Sequence, residues 1–127
     1  MMMEARTVLV VEDDQAIREL VADLLIGEGY AVLQAQDGRQ GLRLAREHAP
    51  SVIMVDQMLP EMTGLEVLER LHAQLATRHI PVILVSGLAQ SLRDGAHRAD
   101  RVLAKPFDID ALLAHVESLA ATGVPRS

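Results

Sequence analysis

Residues 52–64 read VIMVDQMLPEMTG, and this stretch decides the fold. An unbroken apolar run ends in an acid, Asp56, and Thr63-Gly64 then opens a leucine-patterned segment. A short strand that is apolar at every position, rather than at alternate ones, is covered on both faces, as in parallel sheets flanked by helices. The same pattern recurs on either side. VLVV at residues 8–11 ends in Glu12-Asp13-Asp14, VILV at 82–85 ends in Ser86, and VLA at 102–104 ends in Lys105. Strand-like runs fall at residues 7–11, 31–33, 51–55, 81–85 and 101–104.

Helical patterns separate these runs. Ile17, Leu20, Val21, Leu24 and Leu25 repeat at helical spacing, as do Ile109, Leu112, Leu113, Val116 and Leu119, so each segment carries one apolar stripe. Leu65, Leu68, Leu71 and Leu75 give a third stripe, preceded by Thr63 with Glu66 three residues on, a capping-box pattern. Asp14 and Asp108 are placed to cap the first and last helices. Residues 38–49 read as a weaker helix, and residues 90–99 as a short, poorly patterned one. Strands alternating with helices at this spacing imply right-handed βα units around a parallel sheet. The expected fold class is α/β, a flavodoxin-like doubly wound five-stranded parallel sheet of order 2-1-3-4-5 with five helices, the fourth short or distorted. In that order the switch point, where ligands bind, lies between the first and third strands. Those strands end in Glu12-Asp13 and Asp56.

The 127 residues fit one domain, expected over residues 1–121 with a flexible tail at 122–127. There is no cysteine, so neither disulfides nor thiolate metal ligands contribute. No apolar run reaches the length of a membrane span, and a cytoplasmic location is expected. A net charge of −6, with Tyr30 and Phe107 the only aromatic residues, argues against direct nucleic-acid binding.

Three carboxylates at one sheet edge raise one another's pKa unless a counter-charge is present. A hard divalent cation with octahedral oxygen coordination is the natural counter-charge: Mg²⁺, or Mn²⁺, with Asp13 and Asp56 as direct ligands and Glu12 acting through water. Any one of these acids alone reads equally well as a helix cap. Their coincidence with Lys105 is what points to a site. Of twelve basic side chains eleven are Arg, and the single lysine, a compact mobile point charge, stands where an ammonium beside carboxylates is needed.

VLVVEDD, VIMVDQMLPEMTG, VILVSG and VLAKPF resemble, in that order, the motifs of receiver domains of two-component response regulators, in particular single-domain receivers of the chemotaxis type. The resemblance runs from about Thr7 to the last helix. It implies that Asp56 accepts a phosphoryl group from a histidine kinase, a phosphotransfer protein or a small phosphodonor. It also implies that the backbone carbonyl of Met58 joins Glu12, Asp13 and Asp56 around the metal, that Lys105 and Ser86 contact the phosphoryl oxygens, and that the Lys105–Pro106 bond is cis. Output would pass through a downstream protein partner, with homodimer formation left open. The chain would not be an enzyme beyond its own phosphorylation and slow dephosphorylation. Ala16 to Val21 and Pro106-Phe107 would face the kinase, although most of the Ile17 and Leu20 stripe is expected to be core.

This chain also departs from the family pattern. Valine at position 102 replaces the usual aromatic, so the aromatic rotamer switch cannot operate in its familiar form. The stretch between Ser86 and Lys105 is short. Apolar Met58 and Leu88, each two residues beyond Asp56 and Ser86, should hinder the hydrolytic water and lengthen the phosphoryl lifetime. Ser86 reads alternatively as a strand-end hydroxyl bonded to local backbone, and Lys105 as a solvated strand end. Arg93, His97, Arg98 and Arg101 read first as a solvated face and second as a docking patch for an acidic partner. Two other functions compete. A phosphorylation-independent, degenerate receiver scaffold would explain Val102, whereas a Mg²⁺-dependent phosphohydrolase would need an acid where Met58 stands.

Overall fold

A computed structural model describes residues 6–87 and 98–122. Five parallel strands, β1 (Thr7–Val11), β2 (Ala31–Ala35), β3 (Val52–Asp56), β4 (Val82–Ser86) and β5 (Arg101–Ala104), form one sheet in the order β2-β1-β3-β4-β5. Four helices accompany them among the described residues: α1 (Gln15–Gly27), α2 (Gly38–His48), α3 (Gly64–His72) and α4 (Ile109–Thr122). The strand order and the doubly wound architecture are those expected from the sequence. Of the expected short helix at 90–99 only Arg98 and Ala99 fall within the described residues, so that expectation lies outside them, as does the tail at 123–127.

Strand alternation sorts the core into two layers. Leu9 and Val11 of β1, Ile53 and Val55 of β3, and Val82 and Leu84 of β4 face Leu42 and Ala45 of α2 and Val67, Leu68 and Leu71 of α3. Val8, Val10, Val52, Met54, Ile83 and Val85 face Val21 and Leu25 of α1 and Leu112, Val116 and Leu119 of α4. β1, β3 and β4 are buried at almost every position, which is why their sequences are apolar throughout.

Local signals set the helix ends. The Asp14 carboxylate accepts a hydrogen bond from the Ile17 N–H at 3.0 Å, and Thr63 and Glu66 form the reciprocal capping box. At α4 the Asp108 carboxylate accepts only a long 3.4 Å bond from the Asp110 N–H. Two expectations need correction. α3 ends at His72, so Leu75 lies beyond it and is 78% exposed rather than in the stripe. The first helix buries Val21 and Leu25, but Ile17 and Leu20 are exposed; Ile17 stands at the cleft beyond the strand ends, and Leu20 lies outside the buried face that Val21, Ala22 and Leu25 form.

Candidate phosphoryl-acceptor site

Alternation that places Val8 and Val10, Val52 and Met54, and Leu103 on the α1/α4 face also assigns Glu12, Asp56 and Lys105 to that face, each one step beyond those residues. The side chains meet there. Lys105 Nζ donates to Asp56 Oδ2 at 2.6 Å, and the Met58 N–H donates to Asp56 Oδ1 at 2.9 Å, so both oxygens of the buried Asp56 carboxylate are engaged. Carboxylate oxygens of Glu12, Asp13 and Asp56 lie within 4.8 Å of one another. The Lys105–Pro106 bond is cis, as the resemblance implied.

Glu12 is held from two sides. Its carboxylate accepts from the Asp14 N–H at 3.0 Å, and its backbone carbonyl accepts from Arg18 Nη1 at 2.8 Å; Arg18 also donates to the Gln34 side chain at 3.2 Å. Burial pushes the Glu12 carboxyl up from 4.5 to about 7, and the adjacent Asp56 carboxylate adds to the shift. The Asp14 N–H and the Lys105 ammonium act in the opposite direction. Asp13 is exposed at the mouth of an open cleft of about 470 Å³, which Glu12, Asp56, Ile17, Met58 and Lys105 also line.

Gln57, to which the sequence reading gave no role, and Gly64, read there only as part of a helix start, hold the β3–α3 loop beside Asp56. The buried Gln57 side chain accepts from the Leu65 N–H at 2.9 Å, and the Gly64 N–H donates to the Gln57 carbonyl at 3.0 Å. A Cβ on Gly64 would stand 2.7 Å from the Asp56 carbonyl and 2.9 Å from Leu84. The Thr-Gly pair at a helix start was the available signal; the close approach that makes glycine necessary depends on the strand two turns of chain away.

Ser86 behaves differently from the other candidates. It is buried at the end of β4, its backbone carbonyl accepts from the Lys105 N–H at 2.9 Å, and its hydroxyl donates to the Gly87 carbonyl at 2.9 Å. Among the described residues it does not line the cleft. Of the basic cluster read from the sequence, Arg93 and His97 lie outside the described residues, as does Leu88. Arg98 pairs with Glu69 at 3.0 Å on the surface, and Arg101 Nη1 donates to the Asp100 carbonyl.

The response regulator receiver domain family matches residues 8–117, and the chain belongs to that family. It is a receiver of two-component signalling, with the acidic cluster typical of a phosphoacceptor site, rather than a turnover enzyme. It is 35% identical over 118 residues to the polar-differentiation response regulator DivK of Brucella anthropi, covering 89% of this chain and 94% of that one. Identity reaches 40% over 115 residues with the DNA-binding dual master transcriptional regulator RpaA of Synechocystis, of whose length the match spans 48%. Among solved structures, the receiver domain of the sensor histidine kinase PA1611 from Pseudomonas aeruginosa, with a magnesium ion coordinated in its active-site cleft, superposes with a TM-score of 0.86 at 25% identity, over 93% of this chain and 99% of that one. No helix among the described residues is long and apolar enough to cross a membrane.

Proposed function

We propose that Asp56 is the phosphoacceptor of this receiver, with Lys105 and Ser86 as phosphoryl contacts and Glu12, Asp13, Asp56 and the Met58 carbonyl as the Mg²⁺ set. The observation that carries this reading is the 2.6 Å Lys105–Asp56 contact inside the Glu12, Asp13, Asp56 cluster. The donor set suits the ion. Oxygens opposite one another on an octahedral Mg²⁺ stand about 4.2 Å apart, so a 4.8 Å span fits direct bonds from some carboxylates and a bridging water for another, the arrangement suggested for Glu12. Bound there, Mg²⁺ or Mn²⁺ would neutralise charge on the phosphoryl oxygens.

The protein's own part is positioning. An Asp56 carboxylate oxygen attacks phosphorus in line, forming an acyl phosphate as the bond from phosphorus to the donor's nitrogen or oxygen breaks, and the leaving group keeps that electron pair. The Met58 N–H fixes the rotation of the carboxylate. Lys105 has a flexible four-carbon stem, so its ammonium follows the negative charge from Oδ2 to the phosphoryl oxygens. Ser86 would have to exchange its bond to Gly87 for one to the phosphoryl group, a local rearrangement at the end of β4.

Ile17, exposed at the cleft, and exposed Leu20 one turn further on support kinase or phosphotransfer-protein docking on α1, with Pro106 and Phe107 after Lys105 as the second part of that surface. Met58 is 62% exposed at the cleft mouth, an apolar group where a polar one would orient water, which supports slow loss of the phosphoryl group. Val102 packs against the core on the α2/α3 side and carries no ring to rotate, so activation works through the end of β4, through the residues 88–97 that follow it, or through assembly. The receiver unit comprises residues 1–121 and acts in the cytoplasm through protein contacts.

Incubation with acetyl phosphate and Mg²⁺, followed by intact-mass measurement, tests the assignment. One phosphoryl increment on the wild type and none on Asp56→Asn is expected. Incorporation that survives in Asp56→Asn would overturn it.

A further inference from the structure

A groove of about 650 Å³ lies between α2 and α3, away from the acidic cleft, and is lined by Arg39, Arg43, Arg46 and Arg70 over an apolar floor of Leu42 and Met62. Arg39, Arg43 and Arg46 occupy helix positions i, i+4 and i+7 and therefore share one face of α2. Arg70 reaches the groove from α3. Glu61 stands beside Arg39 and Arg70 in an adjoining recess, and the other negative groups nearby have partners or roles. Asp37, the acid in the lining, accepts the Gln40 N–H as the cap of α2; Glu47 pairs with Arg43 at 3.6 Å; and Glu66 closes the capping box of α3. Among the described residues the guanidinium groups of Arg39, Arg46 and Arg70 make no hydrogen bond or ion pair.

Helix stability accounts for only part of this arrangement. Arg46 and Arg70 sit in last turns, where cations complement the helix dipole. Arg39 stands in a first turn, where a cation opposes the dipole, and Arg39 with Arg43 is a like-charge pair four residues apart, which is unfavourable in an isolated helix. Four guanidinium groups are thus gathered on one face of a chain whose net charge is −6.

We propose that this groove docks an acidic amphipathic helix of a partner protein, its carboxylates set against the four arginines and one apolar side chain seated on Leu42 and Met62. Charge complementarity selects an anion, and the planar guanidinium fork matches carboxylate geometry. The seven helical steps from Arg39 to Arg46 span about 10 Å, so carboxylates at i, i+4 and i+7 of a facing helix share the spacing. A phosphate polymer would leave the apolar floor uncovered, and no aromatic side chain lines the groove to stack a base.

The test titrates the isotope-labelled full chain with a synthetic helical peptide carrying Glu at i, i+4 and i+7 and Leu at i+3, against a scrambled peptide of identical composition. Saturable amide shifts centred on α2 and Arg70 are expected, with a dissociation constant at or below about 1 mM at low salt that weakens as salt rises. The scrambled peptide should bind at least about fivefold more weakly, and the double variant Arg39→Gln/Arg46→Gln should lose about tenfold in affinity, two to fivefold per exposed pair, with its thermal midpoint and acetyl-phosphate labelling unchanged. Equal binding of the scrambled peptide, or undiminished binding to the double variant, overturns the proposal. Tighter competition by inorganic polyphosphate or a single-stranded oligonucleotide than by the unlabelled peptide also overturns it, assigning the groove to phosphate polymers.

Discussion

The acidic cleft at the strand ends and the arginine groove between α2 and α3 are both open, charged concavities, yet they are built differently. In the cleft, Asp56 and Glu12 are buried, and each carboxylate is tied to a backbone N–H or to Lys105. In the groove the arginines are exposed, and three of the four have no partner among the described residues. Buried, pre-bonded carboxylates feel a low dielectric and are held in place before a ligand arrives, which suits chemistry. Exposed, unpaired charge is screened and adaptable, which suits recognition. Substitutions in the cleft should therefore change rates and stability, whereas those in the groove should change only affinity.

The strongest challenge to this contrast is Lys105→Ala. It should slow Asp56 phosphorylation by about 10²–10³-fold, the usual effect of removing one pre-organised charge contact, measured as the initial rate of labelling by acetyl phosphate at saturating Mg²⁺. A change below threefold would show that the Lys105–Asp56 contact is incidental to the chemistry.

Gly64→Ala tests the scaffold behind the cleft. The added methyl meets the Asp56 carbonyl and Leu84, so a loss of about 1–3 kcal/mol in denaturant unfolding is expected, together with slower labelling. Ala at exposed Gly27, where nothing lies within 4 Å, is the control and should not destabilise.

The Glu12 carboxyl gives the contrast a pH signature. It titrates at about 7 in the folded chain against 4.5 when unperturbed, so between those values the folded state holds a proton that the unfolded state has released. Its contribution to stability is therefore fully present below 4.5, falls as pH rises toward 7, and is constant above; the loss is on the order of 2 kcal/mol for this buried group. Comparing wild type with Glu12→Gln in metal-free buffer isolates it, and the variant should lose that slope. Affinity for Mg²⁺ should rise through the same window, because only the ionised carboxylate assists a cation. The smallest effect belongs to the groove: Arg39→Gln should shift unfolding by no more than about 0.5 kcal/mol.

How much was legible in the sequence follows from which interactions are local. Continuous apolar runs at residues 8–11, 52–55 and 82–85 announced buried strands, and Thr63 with Glu66 and Asp14 before Gln15 announced helix starts, because caps and periodicity operate within a turn or two of chain. The candidate cluster was legible because each residue stands at or just beyond the end of a strand, and parallel strands deliver their ends to one edge. Leu75 misled because helical spacing continues past the point where α3 stops. Ile17 and Leu20 misled because periodicity specifies a stripe but not how much of its width and length the sheet beneath it covers.

By itself, then, the order of residues determined the elements, their parallel arrangement and the chemical identity of Glu12, Asp13, Asp56 and Lys105, since all of these depend on nearest neighbours and on residue type. Only the tertiary structure decided which oxygen of Asp56 meets Lys105, that Ser86 bonds to Gly87, that Gly64 has no room for a side chain, and that arginines from two helices share one groove. Those are contacts between groups far apart in the chain, and their geometry exists only once the helices have packed onto the sheet.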